Sequence, residues 1–331
     1  MKMLQSDFIG QHGKHIKNEG RLDIVTRSPS EFAFVEAEVL RAEQAIRIGA
    51  RLGEGPLWSP NENALYSIDI VNCAIHRWEP KTGKRDTAIL KQWICALVLC
   101  DDGRLIGAVE DGLAFIDFVT GTFEIIANPL PDRSMRFNDA SADRLGRLWT
   151  GTMQREDQQP VASFYKLDND LVLTEMDKGL SLSNGIGFSP DDSILYLSDS
   201  IQNSVFAYDF DLERGLISNK RQLIYVDPDK DGYPDGLTMD AEGHIWLCHW
   251  DGWKLTRHAP DGKVVDTIEV PVPRPTSCMF GGDDLSELYI TSAIMDLSAE
   301  QFAVAPMSGD IFVARPSVPG LPEPTFRQNK M

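Results

Sequence analysis

Four short segments set an oxygen-bearing side chain against glycines or other polar residues just ahead of an apolar run. They are Leu52-Gly53-Glu54-Gly55-Pro56-Leu57-Trp58, Arg136-Phe137-Asn138-Asp139, Ser183-Asn184-Gly185 and Pro234-Asp235-Gly236. Taken singly, Asn-Gly and Asp-Gly read as turn dipeptides, and Glu54 between two glycines reads as a carboxylate presented at a loop exit. Taken together they share a spacing: Glu54, Asn138, Asn184 and Asp235 lie 12, 11, 12 and 11 residues before Tyr66, Trp149, Tyr196 and Trp246. If those aromatic residues mark equivalent points of a repeat, the four oxygen donors occupy equivalent points too. Glu, Asp and Asn oxygens gathered at one place suit a hard divalent cation such as Ca²⁺ or Mg²⁺, and with open coordination positions also Zn²⁺ or Mn²⁺.

The repeat that must position them is visible in six fragments: NENALYSIDI, DDGRLIGAVE, DRLGRLWTGT, DDSILYLSDS, AEGHIWLCHW and LSELYITSAI. Their anchors Tyr66, Ile106, Trp149, Tyr196, Trp246 and Tyr289 are separated by 40, 43, 47, 50 and 43 residues. That period is the length of one four-stranded blade, and blades without intervening helices predict an all-β, six-bladed β-propeller with a central metal site. A β-sandwich is the alternative, but sandwiches rarely sustain six units of this length. Ile194-Leu195-Tyr196-Leu197 and Ile245-Trp246-Leu247 are apolar enough to be buried on both faces, as strands stacked between blades should be. The expected organisation is an N-terminal extension or tail over 1–34 and one propeller domain over 35–331, its blades running from about Val35 to about Arg315. The ring-closing strand is expected from Ala45–Arg51 or from Asp310–Arg315.

The 331-residue chain is 42% hydrophobic and 25% charged, ordinary for a globular protein, with a formal net charge of −18. Such a charge repels nucleic acid and anionic membrane surfaces, and neither is expected as a partner. Cys73, Cys95, Cys100, Cys248 and Cys278 are odd in number and form no CxxC pair, which suits reduced thiols rather than a disulfide framework. No apolar run reaches membrane-spanning length and residues 1–18 lack a hydrophobic signal core, so a cytoplasmic location is expected; oligomeric state is not legible.

LGEGPLW, RFNDASADRLGRLWTGTM, SNGIGFSPDDSILYLSDS, PDGLTMDAEGHIWL and PTSCMFGGDDLSELYITSA resemble, in order and spacing, the motifs of the gluconolactonase, regucalcin and senescence marker protein family. The resemblance runs from about Leu52 to Ala293. It implies a six-bladed propeller that binds one divalent metal in its central channel and hydrolyses a sugar lactone. By the same resemblance Glu54, Asn184 and Asp235 match the metal ligands, and Arg136 and Asn138 match substrate-contacting positions. Glu156, three residues beyond Met153, matches a substrate-binding acid, although the loop that follows differs in length and content. The ion is expected to be Ca²⁺ or Zn²⁺, with Mg²⁺, Mn²⁺ and Fe²⁺ as alternatives.

A metal held by three side chains keeps positions free to polarise a lactone carbonyl and to activate water. Asp235 is the candidate general base, though as a metal ligand its lowered pKa would favour a water-orienting role. Arg136 and Asn138 would bind ring oxygens or hydroxyls, and Arg136 could stabilise the developing oxyanion. Two other functions compete: a lactonase or phosphotriesterase for less polar esters, which predicts a hydrophobic pocket mouth, and a non-enzymatic calcium-binding regulatory propeller, which has no need of Arg136 and Asn138. His244, His249 and His258 share no offset with other repeats and read as strand or surface histidines, with His249 placed to line the pocket. Ser183, Ser277 and Cys278 lack a nucleophile elbow or paired base. Asp229, Asp231 and Gly232 imitate the start of an EF-hand loop without its closing glutamate. Trp250 and Trp253 read as a wall for a sugar ring or as packing, and the loops 154–161 and 201–205 as shapers of the pocket.

Overall fold

The aromatic anchors fold where their apolar neighbours dictate, each in the second strand of a four-stranded antiparallel sheet. In the computed structural model, which describes residues 39–130, 132–156 and 159–329, six such sheets follow one another along the chain, the fifth extended by a short parallel strand, Leu40–Arg41, at its outer edge. Tyr66, Ile106, Trp149, Tyr196, Trp246 and Tyr289 are all 5% exposed or less, consistent with strands covered on both faces. The expected boundary of the N-terminal extension at residue 34, and the start of the propeller at Val35, lie outside the described residues.

Each blade contributes its first strand to the middle of the ring. These are Gly53–Ser59 in blade 1, Ile94–Leu99 in blade 2, Met135–Ala142 in blade 3, Ser183–Phe188 in blade 4, Tyr233–Met239 in blade 5 and Pro275–Gly281 in blade 6. Every first strand touches the first strands of the blades on either side, with blade 6 returning to blade 1, so the ring is closed. The protein is a six-bladed β-propeller.

Closure draws on both chain regions that the sequence suggested. Ile311–Ala314 forms the third strand of blade 6, and Glu43–Ile46 pairs with it as the outermost fourth strand, ending earlier than the expected Ala45–Arg51. The joint between blades 6 and 1 is packed by Trp58 stacked on Tyr289, with ring centres 5.9 Å apart, and by Trp78 set edge-on to Tyr289 at 6.0 Å. Between blades 3 and 4, Trp149 meets Phe188 and Phe210 edge-on at 6.3 and 5.6 Å.

Buried aspartates fix the entry to two first strands. Asp69, at the end of the second strand of blade 1, accepts from the backbone N–H groups of Arg51 and Leu52, and Asp199 does the same for Ser181 and Leu182 in blade 4. Each stands three residues beyond its anchor, so one repeated position latches the backbone that leads to Glu54 and to Asn184.

Beyond Ala314 the chain crosses one face of the ring as a strap. Gly320 N donates to Leu285 O in blade 6, Phe326 N to Leu99 O in blade 2, Arg327 N to Gly146 O in blade 3, and Asn329 N to Asn169 O in blade 3. Phe326 is fully buried. Glu323 accepts from Ser141 Oγ at 3.0 Å and helps line a cavity of about 70 Å³ shared with Asp139, Ser141, Arg144 and Ser277.

Candidate metal centre

The first strand of every blade slips register at the same height. The shifts fall between Glu54 and Leu57, Ile94 and Ala96, Phe137 and Ala140, Ser183 and Ile186, Pro234 and Leu237, and Pro275 and Cys278. A bulge frees its residues from the ladder and re-aims their side chains. Glu54 borders the first bulge; Asn138, Asn184 and Asp235 lie inside theirs. The offsets of 11 or 12 residues read from the sequence therefore have a structural cause.

The turn-dipeptide reading of Asn184-Gly185 and Asp235-Gly236 does not hold, since both pairs lie within strands and neither glycine has a left-handed backbone. They are glycines because blades crowd at the axis. A Cβ on Gly185 would stand 2.5 Å from Leu237 N, and one on Gly236 would stand 2.3 Å from Ser277 Oγ. Gly55 is different: its φ of 49° is one that a side chain disfavours.

A chain of hydrogen bonds orients the amides. Arg136 Nη1 donates to Asn138 Oδ1 at 2.7 Å; Asn138 Nδ2 donates to Ser183 O at 2.9 Å and to Asn184 Oδ1 at 3.0 Å; Asn184 Nδ2 donates to Ser200 Oγ at 3.0 Å. An arginine can only donate, so Asn138 must turn its oxygen to Arg136 and its nitrogen to Asn184. Asn184 in turn must present its oxygen inward, with one lone pair left for a ligand that accepts electrons.

Three carboxylates share this interior. Burial, then the charge of Asp139, pushes Glu54 up to about 8, against the opposing effects of the Gly55 N–H and Arg136. Burial raises Asp139 to about 6, with the Ala140 N–H opposing. Asp235 is raised well above the usual carboxylate range by burial first and then by Glu54 and Asp139. Asp235 is 4% exposed, and its Oδ1 is buried without a hydrogen-bond partner among the described residues. Mutual repulsion among desolvated acids, with a partnerless carboxylate oxygen, is the environment a bound cation would relieve. Among the described residues no three His, Cys, Asp or Glu side chains converge as a ligand group. The oxygen donors that could hold a cation here are mixed, the carboxylates of Glu54 and Asp235 with the amide oxygen of Asn184.

The structure brings together Glu54, Arg136, Asn138, Asn184 and Asp235. Glu156 stands apart, exposed in the bend just past the strand Leu148–Gln154. Asp139 and Ser200 are the participants that sequence reasoning undervalued. Asp139 was legible as the neighbour of Asn138, whereas nothing in the spacing marks Ser200. The rejected candidates have structural roles. His249 is 3% exposed, with Nδ1 at Asp231 O and Nε2 at Thr256 Oγ1, so it does not line the pocket. Ser183 is fully buried beneath Gly151, and Cys278 Sγ donates to Trp246 O. Asp227 caps the short helix Pro228–Asp231, and Lys254 binds Asp231 at 2.5 Å, which leaves the acidic loop no resemblance to a calcium loop.

A closed six-bladed ring with hard oxygen donors on its axis defines a class of propeller with a buried polar centre. Within that class, the sequence profile described as SMP-30/Gluconolactonase/LRE-like region matches residues 52–294, and the chain belongs to this family. A 6-deoxy-6-sulfogluconolactonase of Pseudomonas putida is 35% identical over 85% of this chain and 97% of its own length. The pentonolactonase XacC of Haloferax volcanii is 33% identical over 76% of this chain and 84% of its own. Among solved structures, that of a calcium-binding protein, regucalcin, from Agrobacterium tumefaciens superposes with a TM-score of 0.82 at 29% identity, covering 87% of this chain and 98% of that one.

Proposed function

We propose that this chain is a divalent-metal-dependent hydrolase of sugar lactones, opening the cyclic carboxylic ester to the free sugar acid. Membership of a family whose relatives include sugar lactonases supports an enzyme acting on carboxylic ester bonds. The observation that carries the finer reading is the partnerless Oδ1 of Asp235, buried among carboxyls that repel one another. Glu54, Asn184 and Asp235 would hold the ion; Ca²⁺ and Zn²⁺ are the first choices, since hard oxygen donors suit the former and a small three-residue set the latter. Bound there, a divalent cation supplies Lewis-acid polarisation of the ester carbonyl and an acidified water.

The chain's own residues do the rest. Asp235, once ionised, would offer the carboxylate oxygen that the ion does not engage to the proton of the attacking water. Arg136 carries a fixed positive charge at the edge of the cluster, buried to 7% exposure, where it can stabilise negative charge developing on the carbonyl oxygen. Asn138 holds Arg136 and Asn184 in register, so that substrate and ion sites are braced by one hydrogen-bond chain. Glu156, out at the rim, would meet a hydroxyl of the sugar. The five unpaired cysteines fit a reducing compartment such as the cytoplasm.

The test is to strip the protein with a chelator, reload it with Ca²⁺, Zn²⁺, Mg²⁺, Mn²⁺ or Fe²⁺, and follow acid release from glucono-, xylono-, arabinono- and galactonolactone with a pH indicator. Activity restored by at least one ion is expected. Tight ion binding with no turnover above the spontaneous rate would instead favour a calcium-binding role like that of the Agrobacterium protein.

A further inference from the structure

Blade 3 aims two arginines at blade 2, and the lactonase mechanism uses only one of them. Arg136 pairs with Met153 across the first two strands of blade 3, and Met135 with Gln154. Arg155 continues that ladder, its backbone N donating to Ser134 O at 2.9 Å. Opposed residues of an antiparallel pair share a face and alternate along it, so Arg136 and Arg155 stand on one face of the sheet, on a diagonal about 7 Å apart. Both guanidiniums act electrostatically on the thiol of Cys95, in the first strand of blade 2, which places both charges at the junction of blades 2 and 3.

Arg155 is an incompletely satisfied cation. Its guanidinium lies 5.1 Å from the ring centre of Trp93. Nη2 is 3.1 Å from Glu110 Oε1, but that contact is not aligned as a hydrogen bond, and both Nε and Nη2 are buried without a hydrogen-bond partner among the described residues. Arginine cannot shed its charge, and buried donors left unmade are costly. An aromatic-backed fork of unused donors matches the planar or tetrahedral oxygens of an anion.

We propose that Arg155, backed by Trp93, is the subsite for an anionic substituent on the terminal, exocyclic carbon of the lactone. This rests on the lactonase reading and narrows its substrate class. On that reading, with the ring held by Arg136 and Asn138 and the ester carbonyl at the Glu54, Asn184 and Asp235 cluster, the chain end of an aldonolactone would extend along the diagonal from Arg136 to Arg155. The acceptable substituents share one chemistry: a sulfonate, phosphate or carboxylate.

The experiment compares wild type, Arg155→Gln and Arg155→Lys on plain gluconolactone and on gluconolactones carrying a terminal sulfonate or phosphate; whichever anion shows the lower KM identifies the substituent. Arg155→Gln is expected to raise KM for the anionic lactone on the order of tenfold while leaving kcat and the KM for the plain lactone within about twofold, and Arg155→Lys to recover part of the loss. The wild-type preference should weaken with added salt. An equal KM change for neutral and anionic lactones, or no wild-type preference, overturns the subsite and leaves Arg155 and Glu110 as a structural pair. If no lactone is hydrolysed, the lactonase reading fails, and calorimetric titration with a terminally sulfonated sugar acid decides the subsite alone: weaker binding to Arg155→Gln upholds it, equal binding overturns it.

Discussion

Blade 2 and blade 5 carry the same bulge at the same height, yet of the two only blade 5 places a hard oxygen donor there. In blade 5 the bulge holds Asp235, whose buried Oδ1 has no hydrogen-bond partner among the described residues. In blade 2 it holds Cys95, 4% exposed, whose thiol is pushed up by burial and only partly drawn back by Arg136. A neutral thiol is a poor donor for a hard cation. Blade 6 has Thr276 and Ser277 in its bulge, and Thr276 Oγ1 is committed to its neighbours, donating to Gly53 O at 2.6 Å. The ring thus supplies six equivalent axial positions, and residue type decides which of them carry a hard oxygen donor.

The sharpest way to break this comparison is to make blades 1 and 5 resemble blade 2. Asp235→Asn and Glu54→Gln should each lower kcat/KM on the order of 10³-fold or more, with an unchanged far-ultraviolet circular dichroism spectrum. In chelator-treated protein the same substitutions should raise Tm, because each removes a desolvated acid from the cluster. A variant that keeps full activity sinks the assignment of that residue.

A smaller effect is expected at Glu323, a half-buried carboxylate that lies on the strap rather than at a bulge. Burial drives it up to about 7, opposed by Ser141 and Arg144. Its folded value lies above the ordinary 4.5, so between these values the native state binds more protons than the unfolded chain. The stability it contributes is therefore full below pH 4.5 and lost as pH rises through 7. Glu323→Gln should be more stable than wild type at alkaline pH by no more than about 3 kcal/mol, the difference vanishing in acid. Denaturant melts across that range would show it, and parallel pH profiles for the two proteins would remove the claim.

The smallest effect is expected at the blade that lacks a ligand. Cys95→Ser should change kcat/KM by no more than about threefold, since it leaves the ion set untouched and preserves a small polar side chain beside Arg136. A loss as large as that of Asp235→Asn would show that blade 2 contributes chemistry after all.

Much of this was legible because repetition makes position readable. Tyr66, Trp149, Tyr196, Trp246 and Tyr289 mark equivalent second strands, and counting back from them finds Glu54, Asn138, Asn184 and Asp235. The same count reaches Cys95, 11 residues before Ile106, and Ser277, 12 before Tyr289, which were passed over because neither side chain is an acid or amide. Glu156 could be named from its motif, but the bend in which it stands is exposed and set by loop conformation rather than by a ladder. The strap was not legible, because 316–329 has no strand periodicity and is held by isolated backbone bonds to distant blades.

The amino-acid sequence by itself determined the number of blades and the register of the axial residues, because a period of apolar strands and a constant offset within it are properties of the chain. Only the tertiary structure decided how those residues behave. The inward turn of the Asn184 oxygen comes from Arg136 acting through Asn138 across two blades, and the raised carboxyls of Glu54 and Asp235 come from burial beside one another across 181 residues of chain. Orientation and charge state depend on neighbours in space, and a closed ring makes neighbours of residues that the chain keeps far apart.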